Sequence, residues 1–161
     1  MRRLADRLHR FTLGLCLTLF AVMFVGQIVI VLLRYVMGIG FLELQDAVIY
    51  AFACLVVLTI PLAMRNDRHV RVDVLREGQS PRARRLTDRA GHLVFTLPVF
   101  LLVAMDAWPL VSASWAIREG SLETGGLPGL FLVKSAVLVM CVLVILQALA
   151  DLFAGSADDA G

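Results

Sequence analysis

Paired cysteines, histidines within apolar segments and nucleotide- or metal-binding motifs are all missing from this chain. Its three cysteines, Cys16, Cys54 and Cys141, stand singly in apolar stretches. Without a CxxC or a metal-ligand spacing they support neither a dithiol oxidoreductase nor a thiolate metal site, and they read as small buried hydrophobes. His9, His69 and His92 fall outside the apolar centres. A membrane haem needs facing histidines inside the helices, so a cytochrome is excluded. No HExxH, GxSxG or phosphate loop is present, which removes the chemistries those motifs carry. Nor is there an internal repeat or a pair of broken helices in two matching halves, the usual mark of a complete secondary transporter. These absences describe a small subunit, not an enzyme and without cofactor or metal, whose chemistry is done elsewhere.

What the chain has in excess is apolar surface. Of 161 residues, 60% are hydrophobic, and the mean hydropathy is +0.85. A soluble domain usually holds about 45–50%, so the surplus calls for a solvent other than water. From Phe11 to Leu33 there is no charge, and Gln27 is the only strongly polar side chain. That run makes about 34 Å of helix, enough to cross a hydrocarbon core of about 30 Å. It also exceeds the h-region of a signal peptide, and no A-x-A-like site follows, so it reads as a retained anchor. Further runs begin at Ala47, near Leu93 and near Gly129. Helices are expected at about 11–33, 43–64, 81–117 (membrane part about 93–111) and 129–152, with 153–161 a disordered tail. The fold class is an all-α, four-helix integral membrane domain spanning 1–161.

Orientation follows from the arginines. Four lie in the first ten residues and eight between Arg65 and Arg89, whereas the other two connections carry Arg34 and Arg118 alone. Cytoplasmic flanks are enriched in Lys and Arg. Both termini and the second connection are therefore expected inside, and the connections around residues 34–46 and 118–128 outside. In the second connection, Ser80-Pro81 is a helix start, with an N-cap residue before a proline at the first helical position. Ala83, Leu86, Ala90 and Leu93 then keep a helical period, so the third helix should begin in the cytoplasm and rise into the membrane. Arg82, Arg84, Arg85 and Arg89 would lie among anionic lipid head groups. Val70, Val72 and Val74 alternate with Arg71 and Asp73, which fits an extended stretch or a short interfacial helix.

Charges inside apolar spans are expensive and usually face protein. Asp106 is about five residues short of the outer end of the third run, and Lys134 is about five past the start of the fourth. Similar depth predicts an Asp106–Lys134 ion pair, structural in role because a proton relay needs a chain of such groups. Arg34 closes the first span while Glu43 and Asp46 open the second. This predicts a second ion-paired set, or else a hydrated rim. Trp108 and Trp115 mark the outer boundary, where an aromatic belt is expected. The connection from Arg118 to Pro128 is the largest surface offered beyond the membrane.

The order of Arg34-Tyr35-Val36-Met37-Gly38, Leu42-Glu43-Leu44-Gln45, Arg68-His69-Val70-Arg71-Val72-Asp73-Val74, Ser80-Pro81-Arg82, Trp108-Pro109, Ser114-Trp115 and Gly120-Ser121 with Gly125-Gly126-Leu127-Pro128 resembles a known family. It is the small membrane subunit of tripartite ATP-independent periplasmic (TRAP) transporters, the DctQ type, and the likeness leans toward its mannitol/chloroaromatic branch. The resemblance covers about residues 10–150. It implies a multi-pass protein of the bacterial inner membrane, complexed with a large multi-span permease subunit that holds the substrate and sodium sites. A periplasmic binding protein would deliver a carboxylate to the outer face. The small subunit would brace the scaffold of an elevator. Arg118, Glu119, Ser121, Glu123, Gly125, Gly126 and Pro128 would help receive the binding protein. The alternative is a membrane scaffold or assembly protein without transport. No nucleic-acid partner is implied.

Overall fold

A computed structural model describes residues 2–65, 80–121 and 126–157. The alternating Val70–Val74 stretch lies outside the described residues. Helix α1 runs Arg2–Val36, α2 Leu42–Arg65, α3 Pro81–Gly91, α4 Leu97–Ala116 and α5 Leu130–Ala157. A π-helical turn, His92–Thr96, joins α3 to α4. Among the described residues four helices are long and apolar enough to cross a membrane: Arg7–Val36, Leu42–Met64, Arg89–Ala116 and Leu130–Leu152. No strand forms among them beyond an isolated bridge between Gly120 and Pro128.

Local chemistry sets the helix ends. Leu33 C=O accepts from Met37 N–H at 3.2 Å and from Ile39 N–H at 3.1 Å. Gly38 between them takes φ +68°. A left-handed glycine thus turns the chain back so that a backbone N–H beyond the helix satisfies a terminal carbonyl. At the start of α3, Ser80 Oγ accepts from Ala83 N–H at 3.3 Å, filling one of the donors that a helix N-terminus leaves open. The π turn precedes Pro98, and Leu97 N–H reaches back to His92 O. A proline ring crowds the carbonyl four residues earlier. The wider i→i−5 winding relieves that crowding without breaking the rod. The tail expected from residue 153 is helical as far as Ala157. Leu152, Ala154 and Ala157 favour helix, so the fall in hydropathy there marks the end of the span rather than of the helix. Residues 158–161 lie outside the described set.

The four spans pack as a row. Helix α1 lies on α2, α2 on α5, and α5 on α4, with a slight α1–α5 contact and no contact between α1 and α4. Gly26 lets α1 approach α2, since a Cβ there would meet Val48 Cγ2 at 2.7 Å. Beside that crossing, Met23, Phe24, Gln27, Val48, Ile49 and Phe52 line an open cleft of about 340 Å³. One core cluster joins Cys16 to Leu58 and Leu62, with Leu143 of α5 against it. The other joins Met140, Cys141 and Val144 of α5 to Val57 of α2 and to Phe100 and Ala104 of α4. On α5, positions 137, 140, 141, 144 and 148 form the inward stripe at helical spacing. Cys141, Val144 and Ala148 are fully enclosed.

Helix α4 packs on α5 through Phe100, Ala104, Val111 and Ser114. Asp106 is two residues from Ala104, about 200° round the helix, so it points away from α5 and is exposed. The expected Asp106–Lys134 pair therefore does not form. Lys134 is bound instead by Glu119. The reason is register: Trp115 Nε1 donates to Ser135 Oγ at 2.8 Å, which sets Lys134 level with the end of α4 and far above Asp106.

Candidate functional site

The end of the row where α1 meets α2 and α4 meets α5 carries an organised polar cap. Helix α4 stops in a Schellman turn. Glu119 N–H donates to Ser114 O at 3.0 Å and Arg118 N–H to Trp115 O at 3.2 Å. The left-handed position is filled by Arg118, at φ +46°, the one non-glycine residue with positive φ among those described. Glycine is usual there, and a side chain in this region stores roughly 1–2 kcal/mol. Arg118 is exposed.

The chain then folds back on itself. Gly120 pairs with Pro128, and Ser121 N–H donates to Leu127 O at 3.1 Å. The two peptide groups that flank the Leu127 Cα are each held from α2. The Leu127 N–H donates to Asp46 Oδ2 at 2.9 Å, and its C=O accepts from Tyr50 Oη at 3.0 Å. Asp46 and Tyr50 are one helical turn apart, so both reach the same residue. Asp46 is only 7% exposed, and a buried carboxylate needs such a donor. Gly126 makes the fit possible, because a Cβ there would lie 2.4 Å from Asp46 Oδ2 and 2.5 Å from Ser121 Cβ.

The start of α5 is fastened to the end of α4. Phe131 N–H donates to Glu119 O at 3.4 Å, and the Lys134 ammonium donates to the Glu119 carboxylate. That ammonium holds the Glu119 carboxyl below its ordinary pKa. Trp115 stacks edge-on against Phe131, with ring centroids 4.6 Å apart. Ser135, which receives the Trp115 indole N–H, passes its own hydroxyl to Phe131 O at 2.7 Å.

Several residues expected to act together are placed differently. Arg34 is exposed at the last turn of α1 and forms no ion pair with Glu43 or Asp46 among the described residues. Asp46 turns inward to the Leu127 peptide instead, because a backbone N–H reaches a buried position that a long, hydrated guanidinium does not. Glu43 stays exposed in the first turn of α2, where the helix dipole favours it. Glu123 and Gly125 lie outside the described residues, as do the side chains of Arg82, Arg84 and Arg85. Arg89 is half-buried. Tyr50, Leu127 and Ser135 are the cap residues that sequence reasoning missed. The Asp46–Tyr50 spacing is a signal for the first, whereas a backbone acceptor such as Leu127 leaves none. Among the described residues no cluster of His, Cys, Asp or Glu could hold a metal ion.

A row of four membrane-length helices, tied at one end by hydrogen bonds from α2 to Leu127, defines a small helical membrane subunit. Residues 23–157 match the family model described as Tripartite ATP-independent periplasmic transporters, DctQ component. The chain belongs to that family, one of transporter components rather than enzymes. No curated protein matches it.

Proposed function

We propose that this chain is the small permease subunit of a sodium-coupled, binding-protein-dependent importer of a carboxylate solute, in the bacterial inner membrane. It braces the stationary scaffold of a large permease subunit and offers its capped end to a periplasmic binding protein. Arginine placement supports the orientation: eight arginines from Arg65, at the end of α2, to Arg89 face the cytoplasm, and the capped end faces the periplasm. Family membership supports both partners, since a DctQ component belongs to a tripartite transporter. The short motifs favour the mannitol/chloroaromatic branch and its carboxylate cargo.

The observation that carries the docking role is the double grip on the Leu127 backbone by Asp46, at its N–H, and Tyr50, at its C=O. A connection that only closed a turn would not need two side chains from another helix. One that must present a fixed surface does, because an ordered surface loses less entropy on binding. Arg118 is exposed in a strained backbone position, and residues so held cluster at functional sites. Arg118, Glu119, Ser121, Glu123, Gly125, Gly126 and Pro128 form the proposed docking surface. Within it Glu119 acts as a brace through Lys134, and Arg118 and Glu123 present the charge.

Uptake by cells carrying the large subunit and the binding protein tests the reading. It is expected to require this chain. Arg118→Glu should lower uptake at limiting binding protein while leaving membrane expression unchanged. Uptake that persists without the chain refutes the subunit role. Uptake indifferent to Arg118→Glu refutes the docking role alone. A cysteine at Ser121 should react with an impermeant maleimide added from the periplasm, and protection there would reverse the orientation.

A further inference from the structure

Halfway along α4, which runs from Leu97 to Ala116, the outward side of the helix carries a carboxylate. Asp106 is exposed, about 15 Å from the capped end of the helix at 1.5 Å per residue. Around it, Leu102 is 60% exposed, Met105 70% and Leu110 57%, so its surroundings are apolar and membrane-facing. Neither hydrogen bond nor ion pair engages its side chain among the described residues. Lys134, the one lysine of the chain, is taken by Glu119.

The backbone adds a second acceptor beside it. Pro109 has no N–H, so the Met105 carbonyl four residues earlier receives no helical hydrogen bond from that position. Ser112 does not compensate, because its hydroxyl donates to Pro109 O at 3.0 Å. Residues 105, 106 and 109 share the side of α4 that faces away from Ala104 and Phe100. Two acceptors thus sit together at membrane depth, and among the described residues no side chain donates to the carboxylate. Lipid tails supply none, and water is scarce there.

We propose that Asp106 and the Met105 carbonyl receive a cationic side chain from a membrane helix of the large permease subunit, making this face of α4 part of the interface between the two subunits. An arginine fits best, since a planar guanidinium offers several donors to two neighbouring acceptors at once. The inference rests on the subunit reading above. It also accounts for a charge that this chain, taken alone, leaves without a counter-ion on the lipid side.

The test uses the full chain co-expressed with its large subunit and extracted in mild detergent. Asp106→Leu should reduce the large subunit recovered with the chain by about tenfold or more, because it strands a buried cation on the partner. Asp106→Glu should restore recovery. In the chain expressed alone, Asp106→Leu should leave insertion and thermal stability intact or raised. A fall there would place the counter-ion within this chain and overturn the proposal. A photo-crosslinking residue at Met105 should label the large subunit; labelling only of lipid, or of a second copy of this chain, overturns it. If the wild-type chain retains no large subunit, the subunit reading itself fails. If the wild type and Asp106→Leu retain it equally, only this inference does.

Discussion

The inner helices α2 and α5 and the outer helices α1 and α4 are all apolar, yet they are packed very differently. In the most apolar windows of α2 and α5, 28% and 22% of the residues are buried, against 6% in each of α1 and the α4 span. Among the described residues every fully enclosed apolar side chain, Cys141, Val144 and Ala148, belongs to α5. Hydropathy therefore says which segments leave water, not which touch protein. The inner pair carries the fold of this chain. The outer pair covers it on one side and offers a broad apolar face on the other, as suits a subunit built into a larger assembly.

Paired substitutions turn that contrast into measurements, beginning with the largest expected effect. Gly126→Val drives a side chain into Asp46 and Ser121, at the tie between α2 and the α4–α5 connection. It should cost about 3 kcal/mol, the upper range for overpacking. Gly14→Val on α1, where nothing lies within 4 Å, should change stability by less than about 0.5 kcal/mol. Equal losses, read from thermal unfolding in detergent, would break the contrast. Next, Asp46→Ala leaves the Leu127 N–H buried without an acceptor. A loss of about 2 kcal/mol is expected, with faster proteolysis between α4 and α5, whereas Glu43→Ala, three residues earlier but exposed, should be near neutral.

Smaller effects sharpen the picture. Val144→Ala empties a fully enclosed site and should cost about 1–2 kcal/mol. Val99→Ala, at a position 49% exposed, should cost under about 0.5 kcal/mol. The smallest effect is that of pH on the Glu119–Lys134 brace. The Glu119 pKa is lowered in the folded chain, so its contribution is complete above the ordinary carboxylate value and is lost as pH falls through the lower, folded one. Melting temperature should therefore drop on acidification from about pH 5 to about pH 3. In Glu119→Gln the drop should be shallower, and an unchanged slope would show that the pair does not stabilise the cap.

The spans were legible because long apolar runs report burial in lipid without reference to any neighbour. The start of α3 was legible too, since Ser80 and Pro81 act locally. Depth was not. Placing Asp106 opposite Lys134 assumed that both counted from one membrane boundary, but α4 remains helical to Ala116 and Trp115 sets the register through Ser135. The mate of Asp46 was hidden for a related reason. Proximity in the chain predicted a side-chain pair, whereas the nearest donor to Asp46 was the Leu127 backbone, 81 positions along the chain. Charges advertise themselves in a sequence, and peptide groups do not.

The grip on Leu127 also decides where the row can open. At the capped end both peptide groups of Leu127 fasten α2 to the α4–α5 hairpin, while the midsections of the helices meet through two clusters of apolar side chains. The molecule is thus a hand fan riveted at one edge. Thermal motion or the pull of a moving neighbour should spread its ribs at the arginine-rich margin first, leaving the riveted margin in register.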